Sequence, residues 1–152
     1  MEIELREVPA DDPIVVRLVE ALRDEVESRG AHNGAVRPDV SLAEAMRADC
    51  DTLLAYADSE PVGTGALRER EPGVAEIKRM YVLPDYRGAG IAGRMLEELE
   101  RRARARGFEV IRLDTHDRLN EATSMYRGAG FREIPDYNAN PRSNVWFEKP
   151  LA

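Results

Sequence analysis

One stretch constrains this chain more than any other: Glu76-Ile-Lys-Arg-Met-Tyr-Val-Leu-Pro-Asp-Tyr-Arg-Gly-Ala-Gly-Ile-Ala-Gly93. The apolar-rich run ending near Val82 reads as a strand, Pro84 and Asp85 as a turn, and Gly88 to Gly93 as a bend into a long amphipathic helix. A helix start presents unpaired backbone N–H groups and a partial positive charge, so it can receive a phosphorylated ligand. Arg87, just before the bend, can add a charge-assisted contact. The junction therefore reads as the holder of a cofactor's diphosphate.

Gly88, Gly90 and Gly93 also match the literal dinucleotide spacing. In the dinucleotide fold, however, the first glycine follows its strand at once. Here residues 83–87 intervene, and a meander replaces the opening βαβ unit. Asp114 stands where a ribose-binding carboxylate would, and equally where a strand reaches solvent. No Lys-Ser or Lys-Thr pair follows Gly90, so the ATPase phosphate loop fails too.

In chain order, 1–8 alternates as a strand, with Asp11 or Asp12 and Pro13 opening a helix to about Ser28. Its apolar stripe is Val15, Leu18, Val19, Leu22 and Val26. Residues 29–40 read as a loop or lid, and Ser41 with Glu44 as a capping box for a short helix ending near Asp49 or Cys50. Strands at 53–57, 62–68 and 74–82 form an antiparallel meander. Gly63 and Gly65 permit close approach of a backbone or ligand. Along 74–82, strict alternation puts Val74, Glu76, Lys78, Met80 and Val82 on one face and Arg79 and Tyr81 on the other. The helix at 89–106 buries Ile91, Ala92, Met95, Leu96, Leu99 and Ala103. Its pairs Glu97–Arg101, Glu98–Arg102 and Glu100–Arg104 are spaced for mutual support. The strand at 109–115 follows as a βαβ crossover, parallel to 74–82 with a small splay. A short helix capped by Asn120, and strands at 131–134 and 144–148, complete the chain.

The 152 residues suit one domain, 1–152, and the formal charge of −7 weighs against broad nucleic-acid binding. A single cysteine, Cys50, excludes an internal disulfide framework and fits a reducing, cytoplasmic compartment. Neither a signal-peptide block nor a bilayer-length apolar run is present, so no membrane partner is expected.

Two motifs at matching spacing make the chain resemble the GCN5-related N-acetyltransferase (GNAT) superfamily. The family signature Arg/Gln-x-x-Gly-x-Gly/Ala is present as Arg87-Gly-Ala-Gly90-Ile-Ala92. A second signature, an Ala with a Tyr four later and then Gly-Phe, is present as Ala122, Tyr126, Gly130 and Phe131. One departure is that Leu119 stands where many members carry an asparagine.

The resemblance implies an α/β (α+β) fold with a mixed, mostly antiparallel central sheet, a splayed parallel strand pair and flanking helices. It implies acetyl-coenzyme A as the donor, bound by Met80, Tyr81, Val82, Arg87, Gly88, Ala89, Gly90, Ile91, Ala92, Gly93 and Tyr126, with pantetheine lying in the splay like an extra strand. Tyr126 is the implied general acid, and the backbone N–H near Val82 the oxyanion donor. Glu76 is the candidate base, with His116 as rival and pairing to Lys78 or Arg68 as the alternative. No Cys/His spacing resembles a zinc site, so no metal is expected. Cys50 reads as an apolar structural residue rather than a nucleophile.

The acceptor is expected to be the primary amine of a small molecule or amino acid, with Arg37 and Arg142 suited to its carboxylate and His116 and Asn144 as further contacts. His32, Asn33 and Asn138 add hydrogen-bonding groups. Acetyl transfer to a protein, peptide or hydroxyl, and a cofactor-binding sensor without turnover, are the alternatives. A homodimer fits family habit.

Overall fold

The computed structural model describes residues 1–30 and 49–151. The expected lid, the capping box at Ser41, and His32, Asn33 and Arg37 lie outside the described residues.

Seven strands form one sheet: β1 (Ile3–Val8), β2 (Asp49–Ala57), β3 (Glu60–Glu71), β4 (Val74–Val82), β5 (Val110–Thr115), β6 (Arg132–Ile134) and β7 (Val145–Pro150), in the order β1-β2-β3-β4-β5-β7-β6. Every neighbouring pair is antiparallel except β4 and β5. Asp49 and Cys50 belong to β2, so no helix ends there.

Helix α1 (Pro13–Ser28) starts as Asp12 and Pro13 dictate. The Asp12 side chain accepts from the Ile14 N–H at 2.9 Å, and proline takes a first-turn position where no donor is needed. Val15, Leu18 and Val19 pack on Leu54 and Tyr81 across one face of the sheet. On the other face, α2 (Ile91–Ala105) and α3 (Asn120–Gly128) cover Leu53, Leu67, Ile77, Ile111 and Phe147. Helix α3 begins at Asn120 itself, with Leu119 in the cap position and no side-chain cap, so the asparagine is not the cap its sequence position suggested. On α2, Glu98–Arg102 and Glu100–Arg104 form as spaced, at 2.9 and 3.5 Å. Arg101 instead forks onto Glu98 through two nitrogens at 2.9 and 2.6 Å, leaving exposed Glu97 out of the array.

Two irregularities position the site. The β4–β5 ladder pairs Val74 with Val110, Ala75 with Ile111 and Glu76 with Arg112, and ends there. Both strands continue, so the sheet parts between them. The second lies in β4, where Thr64 faces Tyr81 but Ala66 faces Lys78, a bulge with Arg79 at φ +54°. The extra residue breaks strict alternation. Ala75 and Ile77 share the α2 face with Met80 and Val82, while Tyr81 packs against α1. The face assignment read from the sequence therefore reverses beyond Lys78. Gly65 makes room for this: a Cβ there would collide with the Met80 sulfur.

Candidate active site

The turn after β4 is a short 3₁₀ helix, Pro84–Tyr86, and the chain then enters α2 through Gly88 and Gly90, both with positive φ. Gly90 is the cap residue of α2 at φ +79°, a left-handed conformation that suits glycine, and no side chain caps the helix. Its first N–H groups therefore point at whatever lies in front of the tip. A Cβ built at Gly88, Gly90 or Gly93 meets nothing within 4 Å. Open space beside uncapped donors at a positive dipole end fits a diphosphate. Ile91 itself is buried in the core and Ala92 partly so; of these two, only the backbone can serve a ligand.

Arg87 is directed elsewhere than the helix tip. Its Nε donates to the Val82 carbonyl at 2.9 Å and a terminal nitrogen to Glu25 at 2.8 Å, with Glu121 at 3.7 Å. The guanidinium also lies over the Tyr81 ring. Two carboxylates and a carbonyl hold the charge, so Arg87 staples the turn to the end of β4 and to α1.

Beyond the last β4–β5 pair opens a cleft of about 360 Å³. Its walls carry Leu22 and Val26 of α1, Met80 of β4, His116 and Tyr126, with 138–143 closing one side. Tyr126, 5% exposed, is wedged edge-on against Phe131 and tilted on Phe147. Burial, and secondarily the Asp114 charge, push its phenol far above the ordinary range, so it stays protonated. His116 accepts from the Arg118 N–H through Nδ1 at 3.1 Å, and Asp117 Oδ1 lies 3.3 Å from the same nitrogen.

Glu76 is fully buried but is not part of the cleft wall. Arg68 binds Oε1 at 2.7 Å, and the Tyr137 hydroxyl donates to Oε2. Both oxygens are thus occupied, the paired arrangement weighed as the alternative to a base. Asn144 is exposed, outside the cleft lining, and its Oδ1 accepts from the Asp117 N–H, tying two loop segments together. Of the expected acceptor contacts, Arg142 and His116 do line the cleft.

Asp114, which by sequence stood as a ribose-type carboxylate or a solvated strand end, is neither: it is the carboxylate of the cleft wall and the centre of a hydrogen-bond network. It receives Lys78 at 3.3 Å, Ser143 Oγ at 2.9 Å, Asn140 Nδ2 at 3.1 Å and the Asn138 amide. Trp146 Nε1 in turn donates to Asn138 Oδ1. Burial opposes the Asp114 charge, but Lys78, Asn138 and Ser143 together hold the carboxyl below its usual range. The signal available was position: a lone acid at the carboxyl end of a parallel strand, where open sheets place their ligands. Among the described residues no group of three His, Cys, Asp or Glu is placed to hold a metal ion.

A mixed sheet parted between two parallel strands, beside a glycine-cradled helix tip, is an architecture suited to a phosphorylated, strand-like ligand. The chain belongs to the acetyltransferase (GNAT) family, whose model matches residues 17–131. It is 34% identical over 155 residues to the IAA acetyltransferase of Azospirillum brasilense, covering 96% of this chain and 95% of that protein. In fold it is similar to PaiA N-acetyltransferase from Thermoplasma acidophilum in complex with coenzyme A, with TM-score 0.75, 22% identity and 99% of each chain covered. It is likewise similar to phosphinothricin acetyltransferase from Sinorhizobium meliloti in complex with AcCoA, with TM-score 0.74 and 20% identity over 99% of this chain and 89% of that one.

Proposed function

We propose that this protein is an acetyl-coenzyme A-dependent N-acetyltransferase that passes the acetyl group directly to the primary amine of a small molecule. The observation that carries the reading is the parting of β4 from β5 after Glu76 and Arg112, flanked by the uncapped start of α2 and by buried Tyr126 on the cleft wall. When bound, acetyl-coenzyme A supplies a thioester whose carbonyl a neutral amine can attack.

The chain's own residues would do the rest. Backbone N–H groups at 88–93 bind the diphosphate, and the β4 edge at Met80–Val82 offers amide partners to the pantetheine arm. The Val82 N–H is the proposed donor to the developing oxyanion. Tyr126, protonated at neutral pH, gives its Oη proton to the departing sulfur, and the proton shed by the acylated amine nitrogen returns to the Tyr126 oxygen through solvent. Glu76 is assigned to holding Arg68 and Tyr137 in place, since neither oxygen is open to an amine. Arg87 is assigned to fixing the turn.

Titration calorimetry with acetyl-coenzyme A tests the loop assignment. Gly90→Glu places a carboxylate against the diphosphate and should weaken binding by about tenfold or more. Gly90→Asn, which tolerates the left-handed turn without a charge, should weaken it far less. Equal affinity in wild type and Gly90→Glu would overturn the reading.

A further inference from the structure

Although the chain carries a net charge of −7, its cleft is lined by Arg23, Arg68, Arg70, Lys78, Arg79 and Arg142 against one carboxylate, Asp114. Most of this charge is committed. Arg68 is bound to Glu76 at 2.7 Å and Lys78 to Asp114 at 3.3 Å, while Arg23 and Arg79 have partners of their own. Two guanidiniums differ: among the described residues neither Arg70 nor Arg142 has a carboxylate partner.

Both are held where they are useful. Arg70 donates to the Tyr137 carbonyl at 3.5 Å and lies over the Tyr137 ring, contacts that aim the guanidinium without neutralising it. The Arg142 backbone N–H donates to Asn140 Oδ1 at 3.0 Å, and neighbouring Asn140 and Ser143 are both anchored on Asp114. The Asp114 network therefore fixes the segment that presents Arg142 to the cleft. A cavity of about 360 Å³ is of small-ligand size. Planar guanidinium forks match a carboxylate in shape and charge.

We infer that the acceptor is a free amino acid, an amine carrying its own carboxylate, held by Arg142 and Arg70 while the amine faces the thioester. This rests on the acetyltransferase reading above and names its substrate class. A lysine within a protein chain carries no carboxylate of its own for these arginines to bind, and a polyamine would be repelled by them.

The test is a thiol-release screen of the twenty free amino acids, each beside its own carboxamide, with calorimetric binding of both in parallel. The expected result is that the preferred acid exceeds its amide in kcat/KM by on the order of tenfold or more, as loss of a charge-assisted hydrogen bond implies. Arg142→Gln and Arg70→Gln should each collapse that ratio toward one through KM, and acetyl-coenzyme A calorimetry on each variant checks that its fold is intact. Amides that match their acids, a ratio unmoved in Arg142→Gln, or a panel in which no acid binds or turns over would overturn the clamp while acetyl-coenzyme A still binds the wild type. Failure of acetyl-coenzyme A itself to bind would instead bring down the reading beneath it.

Discussion

A phenol can serve as an acid at neutral pH only if it keeps its proton until the sulfur needs it. An ordinary phenol meets that condition at pH 7, and burial first and the nearby Asp114 charge second push Tyr126 further up, so it holds its proton into alkaline solution. The rate should therefore show no fall attributable to Tyr126 up to pH ~10, the ordinary phenol value. A descending limb near pH 10 that disappears in Tyr126→Phe would contradict the burial account. Tyr126→Phe itself should lower kcat by about 10²-fold at unchanged acetyl-coenzyme A affinity, measured by thiol release and calorimetry. Full activity in that variant would strip Tyr126 of the role. Residues differed in how far the sequence exposed them. Tyr126 and the glycines stand out as candidates because motif spacing fixes their places. Asn144 and Glu76 have the right chemistry, but their partners Asp117, Arg68 and Tyr137 come from other segments, and only the folded chain brings those together. The role of Asp114 was illegible for the same reason: four donors from 78 and 138–143 turn a strand-end acid into the anchor of a cleft wall.

At the scale of elements, α2 carries both the uncapped tip proposed to meet the cofactor and an ion-pair array on its flank. Glu98 is drawn down to about 2 from 4.5, chiefly by its hydrogen bond with Arg101, against desolvation and with further help from Arg102. A folded-state value below the unfolded one contributes stability above pH ~4.5 that is lost as pH falls through ~2. Glu98→Gln should flatten the acid limb of a stability–pH curve across that window. Because the array faces solvent, it should cost under ~1 kcal/mol at pH 7. An acid limb identical to wild type would show that the array contributes nothing. The boundaries of β4 and the stripe of α2 were legible because long periodic runs dominate local choice. The bulge at Arg79 was not, since a single positive φ leaves no compositional trace in an arginine; the only hint was Gly65 on the opposing strand.

For the whole molecule, the sheet order and the parallel pair follow from chain logic: a meander, then a helix that must cross over to its parallel neighbour. What chain logic does not supply is how far the pair stays together, and on that length the site depends. The sheet holds for three residue pairs and then opens, which turns a continuous core into a cleft whose basic lining opposes the acidic balance of the chain. On the function proposed above, this opening and the adjacent helix tip receive acetyl-coenzyme A through backbone N–H groups. Amide hydrogen exchange, with and without saturating acetyl-coenzyme A, addresses those groups directly. Exchange should slow at 88–93 and at 80–82 by about tenfold or more, with little change on β1 and β2. Ligand binding that leaves 88–93 and 80–82 exchanging at their original rates would contradict the account.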